Sequence, residues 1–236
     1  MALIAISGYA HSGKDTVGKL IQIASCDNIP EGLDLEDLLY NPKYSSLITK
    51  NQNWKIKKWA GKLKTIASIL TGISVEKFED QDFKNKALDR QWCYPTEWLG
   101  KEWWVEMTAR EFLQRLGTDA LRNGLHKNTW VNALMADYKE TEYIGSDSEG
   151  ADIYGYPDWI ITDTRFPNEA QAIKNAGGIV IRVDRPGYKP INNHPSETEL
   201  DKWDFDYRIL NISDLNSLLF TINTILKKEN KNFISL

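Results

Sequence analysis

The sequence is short of the residues that mark several large classes of protein. It holds two cysteines, Cys26 and Cys93, far apart and in no metal-ligand spacing, which argues against both a disulfide framework and a zinc site. It has no excess of positive charge: 29 Lys and Arg stand against 33 Asp and Glu, a net charge of -4. A general basic field for coating a duplex is therefore missing, although a local basic pocket for a phosphorylated small molecule is not excluded. Long apolar runs are missing too. The first, Leu3 to Ile6, is too short for a signal peptide or a membrane span, and a cytoplasmic protein is expected. There is no internal repeat and no low-complexity segment. What is present is an ordinary globular balance, 42% hydrophobic and 26% charged over 236 residues. That length suffices for one large α/β domain or two small ones, with a sizeable core. The nine tryptophans are read first as packing residues.

Short apolar stretches alternate with helical patterns. Strands are expected at Ala2 to Ser7, Lys55 to Ala60, Asp158 to Thr162, Gly178 to Val183 and Tyr207 to Leu210. Helices are expected at Asp15 to Ala24, Lys62 to Leu70, Thr108 to Leu125, Thr129 to Tyr138, Asn168 to Asn175 and Asp214 to Lys228. Such alternation implies an α/β fold with a parallel sheet and crossover helices. In the helix from Thr108, Thr108 and Glu111 form a capping box. Ala109, Phe112, Leu113, Leu116 and Ala120 recur as a buried stripe, and Arg110, Gln114, Gly117 and Thr118 share another face. Asp27 to Asn53 and Ser74 to Trp104 resist packing, Glu140 to Pro157 reads as an exposed loop, and Arg185 to Lys202 follows a strand as a long polar segment. Loops of this length in a compact domain are usually lids, binding loops or disordered segments.

The strongest motif is Gly8-Tyr-Ala-His-Ser-Gly13-Lys14-Asp15-Thr16, between the first strand and the first helix. Its glycines let the backbone turn tightly so that N–H groups face phosphate oxygens, the helix N-terminus adds a positive dipole end, and Lys14 supplies a point charge. The spacing is G-x4-G-K, the phosphate loop, or P-loop. Asp15 stands where Ser or Thr is usual, and Thr16 comes one place late. Thr16 is thus a candidate phosphate or magnesium ligand, and Asp15 a residue that positions magnesium through water.

A second constellation ends the third strand, where Asp163 is followed by Thr164 and Arg165 and then by Phe166-Pro-Asn-Glu169 at a helix start. Asp163 can help hold magnesium, directly or through water, and Arg165 can clamp a phosphate. The plainer alternative is an Asp helix cap beside a solvated arginine. No acid follows Asp163 to activate water, which favours transfer to a substrate over hydrolysis. Lys64, Arg110 and Gln114 are candidates for an acceptor phosphate and base, against the alternative of solvated surface. Trp130 either stacks on a ligand or packs. His11 and His194 have no visible partner, and His126 reads as a helix-end residue.

Taken in order, Ser12 to Thr16, Ala60-Gly-x-Leu-Lys64, Arg110 with Leu113-Gln-x-Leu-Gly-Thr-Asp119, Trp130-Val131, Asp163-Thr-Arg165, Arg185-Pro-Gly187, and His194 with Glu197 resemble the phage deoxynucleoside monophosphate kinase family. The resemblance implies a single P-loop NTPase-like domain over 1–236, a parallel sheet flanked by helices, with inserted acceptor-side (about 72–106) and lid (185–202) segments. It implies ATP as donor, a deoxynucleoside monophosphate as acceptor, Mg²⁺ as cofactor and a homodimer. Gly13, Lys14, Asp15, Thr16 and Arg185 would hold ATP. Lys64, Arg110, Gln114, Gly117, Thr118, Trp130, Asp163, Arg165 and Glu169 would serve the acceptor. Lys14, Asp163 and Arg165 would act in catalysis, with Thr16 and Asp163 toward the metal. The rivals are another small-molecule kinase, such as a dephospho-coenzyme A or phosphomevalonate kinase, and a nucleotide-binding ATPase or switch.

Overall fold

The computed structural model describes residues 2–26, 32–44, 48, 54–98, 100–189 and 198–233. In chain order its first elements are β1 (Leu3–Ser7), α1 (Lys14–Ala24), α2 (Leu35–Tyr40), β2 (Trp54–Lys57), α3 (Gly61–Thr71), α4 (Val75–Glu79), α5 (Gln81–Lys84), β3 (Tyr94–Trp98) and β4 (Lys101–Val105). Then come α6 (Ala109–Gln114), a π-helical stretch (Arg115–Asn123), α7 (Thr129–Met135), β5 (Glu142–Ser146), β6 (Asp152–Gly155), β7 (Asp158–Thr164), α8 (Pro167–Asn175), β8 (Ile179–Asp184), β9 (Tyr207–Leu210) and α9 (Leu215–Phe233). The chain divides into two compact units, Met1–Lys58 with Met135–Leu236, and Trp59–Leu134.

The first unit is built on five parallel strands in the order β2-β7-β1-β8-β9. Every residue of β1 is buried, as a central parallel strand requires because helices cover both faces. Alternation sends Ile4, Ile6, Ile160, Ile181, Val183 and Ile209 to one face, where they pack with Val17, Leu20 and Ile21 of α1 and Leu218, Ile222 and Ile225 of α9. On the other face α8 buries Ala170 and Ile173. The chain runs to one side of β1 for β2 and β7, then to the other for β8 and β9. That reversal creates a crevice at the carboxyl end of β1, the usual ligand position in such sheets. The segment 140–157, expected as a loop, is instead the antiparallel hairpin β5–β6. Its residues are mostly exposed on both faces, so no apolar alternation marks it.

The second unit has its own small core of Ala67, Phe78, Leu88, Ala109 and Phe112, with Trp92 edge-on to Phe112 at 4.8 Å. The long helix expected from Thr108 does start there: Thr108 Oγ1 accepts from the Glu111 amide at 3.2 Å. The Glu111 carboxylate, expected to return to the cap, binds Tyr94 and Arg115 instead. After Gln114 the helix widens to i→i+5 bonding, seen where Gly124 N donates to Asp119 O and His126 N to Leu121 O, each at 3.0 Å. The wider turn rotates later residues off the 3.6-residue stripe. Ala120, expected in the core, is therefore exposed, and Gly117 and Arg122 are the buried residues of that stretch.

The join between α1 and β7 fixes how the loop before α1 sits on the sheet. Gly18 packs so close that a Cβ there would lie 2.6 Å from Thr162 Cγ2. Gly→Ala inside a helix ordinarily gains roughly 0.5–1 kcal/mol. Here Gly18→Ala is expected to cost about 1–3 kcal/mol through overpacking. Adding Thr162→Ser, which removes the offending methyl and keeps the hydroxyl, should restore most of the loss. Urea unfolding of the single and double variants measures both.

Candidate active site

The phosphate loop leaves β1 after Ser7 and enters α1 at Lys14. Gly13 takes φ 100° and ψ 17°, left-handed backbone that glycine adopts without penalty. Among the described residues His11 is the non-glycine residue with positive φ, at 61°, the kind of local strain that collects at ligand-binding loops. The loop closes on itself through the Tyr9 carbonyl, which accepts from Ser12 N at 3.2 Å and from Lys14 Nζ at 2.6 Å. Lys14 is thus folded over the loop. Ser12 Oγ is buried in it with no hydrogen-bond partner among the described residues, which leaves a donor for a ligand to satisfy.

Groups from the far end of the chain hold this loop in shape. Asn211 Nδ2 donates to Ser12 O at 2.9 Å, and Arg185 Nη1 reaches His11 O at 3.5 Å while its guanidinium lies over the Tyr188 ring. Below, Arg182 is only 5% exposed; it binds Ser7 Oγ at 3.3 Å, Asp184 at 3.1 Å and Asp201 at 3.2 Å. Its guanidinium also stands 4.5 Å from the Tyr9 ring centre. Burial, and next the hydrogen bond to Asp201, holds the Tyr9 phenol above its ordinary pKa. Sequence reading missed Arg182 and Asn211 as loop supports. A lone charge in Ile-Val-Ile-Arg-Val was the available signal for the first. Arg185, Pro186, Asn211, Ile212 and Ser213 line an open cleft of about 300 Å³ beside the loop.

At Asp15 the side chain accepts from Thr162 Oγ1 at 2.7 Å and pairs with Lys58 Nζ at 3.7 Å. Neither partner was expected from the sequence. Asp163 lies inside β7, and the N-cap of α8 is Phe166, so the helix-cap alternative for Asp163 does not hold. Arg165 is exposed. Glu169 is 3% exposed, and its Oε2 accepts from the amides of Arg165 at 2.9 Å and Phe166 at 3.2 Å. It therefore fixes the backbone that carries Arg165. His194 and Glu197 lie outside the described residues.

The remaining candidates belong to the second unit. Lys64 is 8% exposed along its side chain and pairs with Glu79 at 2.5 Å. Arg110 Nε donates to Asn85 Oδ1 at 3.2 Å. Gln114 and Thr118 are half-buried. Trp130 is buried, and its Nε1 donates to the Gly117 carbonyl at 2.9 Å, while a Cβ on Gly117 would meet Leu63 at 2.7 Å. The tryptophan thus packs under the π-helical stretch rather than presenting its ring. His126 follows that stretch and is exposed, as expected of a helix-end residue.

A parallel sheet with a phosphate loop at its switch point defines a P-loop kinase-like protein. The sequence profile of one family, deoxynucleotide monophosphate kinase, matches residues 44–222. The chain belongs to that family, and its phosphate loop lies ahead of the matched span. Three relatives illustrate the range. A protein of Acanthamoeba polyphaga mimivirus is 38% identical over 104 residues, 41% of this chain and 49% of that one. The deoxynucleotide monophosphate kinase of Enterobacteria phage T4 is 33% identical over 122 residues, 52% of this chain and 46% of its own. The matched stretch thus spans about half the length of these two relatives. The deoxynucleoside-5'-monophosphate kinase of Escherichia phage T5 is 23% identical over 92% of both chains.

Because Asn211 ties down the loop carbonyl at Ser12, Asn211→Ala should loosen the loop without touching Lys14. Loss of one hydrogen bond of about 0.5–1.5 kcal/mol predicts a two- to tenfold weaker ADP affinity. Calorimetric titration of ADP, with the unfolding midpoint as a control, measures it.

Proposed function

We propose that this protein transfers the γ-phosphoryl group of ATP to the 5′-phosphate of a deoxynucleoside monophosphate. The observation that carries the reading is the loop itself: Gly13 in left-handed backbone with Lys14 folded over it, in a chain of the deoxynucleotide monophosphate kinase family. An oxygen of the acceptor phosphate attacks the γ-phosphorus, the bond to the β,γ-bridging oxygen breaks, and ADP leaves with the electron pair. Little covalent work falls to the protein in such a step; positioning and charge neutralisation do most of it.

Each candidate takes a part in this scheme. Gly13, Lys14, Asp15 and Thr16 hold the donor phosphates, and the cleft beside Arg185 and Asn211 takes the rest of the donor nucleotide. Asp163 and Arg165 act at the transferred group, with Glu169 as the positioning residue for Arg165. Arg110, Gln114 and Thr118 take the acceptor, with Trp130 acting through the Gly117 carbonyl. Lys64 joins them only by leaving Glu79, so Arg110 is the leading acceptor cation.

Magnesium would be held by Thr16 and Asp163, with Asp15 directly or through water. Carboxylate and hydroxyl oxygens suit this hard cation. Among the described residues no group of three or more His, Cys, Asp or Glu converges. The rest of the coordination would come from phosphate oxygens and water, as is usual for magnesium. When bound, the ion neutralises charge on the β- and γ-phosphates. Both substrates are small cytoplasmic nucleotides, and a homodimer is the expected assembly. No described helix is long and apolar enough to cross a membrane.

Coupled ADP-release assays across the common nucleotides test the reading. Lys14→Ala should keep its unfolding midpoint and lose turnover by several orders of magnitude. Near-normal turnover would remove the loop from the mechanism. Arg110→Ala should raise KM for the monophosphate far more than KM for ATP. The loss of a charge-assisted bond, roughly 1.5–3 kcal/mol, predicts a ten- to hundredfold or greater fall in kcat/KM. Wild type that phosphorylates dephospho-coenzyme A and no deoxynucleotide would overturn the substrate assignment.

A further inference from the structure

A phosphate loop gathers positive charge, yet this one places a carboxylate in its first helical turn. Asp15 is 70% exposed along its side chain, next to where the donor phosphates are proposed to bind. An uncompensated anion there would repel a di- or triphosphate. The structure pairs it with a cation: Lys58 Nζ lies 3.7 Å from Asp15 Oδ1, and its own side chain is 30% exposed. Lys58 stands one residue past the end of β2, the strand that pairs with β7. On β7, Thr162 is buried and donates to the same Oδ1 at 2.7 Å. The carboxylate is therefore oriented from the strand side by a fixed hydroxyl and neutralised by a lysine at the sheet edge. That lysine sits on a long flexible stem, and it can withdraw when a stronger cation arrives.

Resting on the phosphate-loop reading given above, we propose that Lys58 is the resident counter-cation of Asp15. It balances the loop when no metal is present and yields Asp15 to magnesium when the metal–nucleotide complex loads. Lys58 is on this account a positioning residue that acts through Asp15. It sets how strongly nucleotide binding depends on the metal.

The test is a double-mutant cycle on ADP affinity, read by calorimetry in EDTA and again in saturating Mg²⁺, with no turnover involved. The quantity is the ratio of the two dissociation constants, the metal–nucleotide coupling. Lys58→Gln should weaken metal-free ADP binding and enlarge that ratio by about fivefold or more, since coupling of this kind commonly runs from about 5- to 150-fold. Lys58→Arg should restore the wild-type ratio. Asp15→Asn should shrink the ratio, and adding Lys58→Gln to it should leave the ratio where Asp15→Asn put it. Equal weakening by Lys58→Gln with and without metal would make Lys58 a plain phosphate ligand and overturn the proposal. So would a lowered unfolding midpoint with both affinities unchanged. A wild type that binds no ADP would instead overturn the phosphate-loop reading beneath it.

Discussion

Arg182 lies in β8 beside Ser7 of β1 on one side and Arg208 of β9 on the other, and its guanidinium is almost wholly buried. An unpaired cation there would cost several kcal/mol. Its surroundings are arranged to prevent that: two carboxylates, a hydroxyl and two aromatic faces, Tyr9 and Phe205, meet it. Asp184 is shared with Arg208, so the charges alternate across two strands. Because Ser7 and Tyr9 flank the start of the loop, satisfying this one buried charge also decides how the loop leaves the sheet. Asp201, which completes the set, comes from a different part of the chain. The loop's shape is thus a property of the whole β1–β8–β9 edge of the sheet, not of the nine-residue motif.

Much of the architecture was legible because it rests on period and punctuation. All five strands of the parallel sheet were expected, and Tyr207 to Leu210 was placed to the residue. The helices α1, α3, α7, α8 and α9 overlap their expected spans closely, since apolar positions at helical spacing decide them. The exposed hairpins β3–β4 and β5–β6 were not legible, because neither turns a clean apolar face inward. The widening after Gln114 left no local mark: Leu116 and Ala120 keep the helical spacing, and only the packing of Gly117 against Leu63 and Trp130 departs from it. At the site, motif residues were readable by type but their partners were not. Glu79 beside Lys64, Lys58 beside Asp15, and the amides capped by Glu169 are tertiary facts that no spacing encodes.

In P-loop proteins a hydroxyl on the loop and an acid on the neighbouring strand commonly share the metal. Here the loop supplies the acid, Asp15, and the strand supplies a hydroxyl, Thr162, within hydrogen-bonding distance of it. This acid–hydroxyl pair runs opposite in sense to the Thr16 and Asp163 of the proposed metal site, and it adds a negative charge at the helix end. A carboxylate there is favoured by the helix dipole, and Lys58 pairs with it at 3.7 Å. Asp163 follows on β7 at an irregularity, where the register against β1 shifts between Ile161 and Thr164.

The place of β1 in the sheet has a consequence for synthesis on the ribosome. This strand is made before either of its partners, and every one of its residues is apolar or buried. Its partners, β7 and β8, begin at Asp158 and Ile179. At roughly 5–20 residues per second, the nascent strand waits on the order of ten seconds before a neighbour exists to hydrogen-bond it. The groups that later grip the phosphate loop, Arg182 and Asn211, emerge later still. A nascent chain therefore carries the complete phosphate-loop motif long before the groups that shape the loop exist. During that interval Leu3 to Ile6 is an uncovered β-prone segment, open to chaperones or to strand pairing between neighbouring polysomal chains.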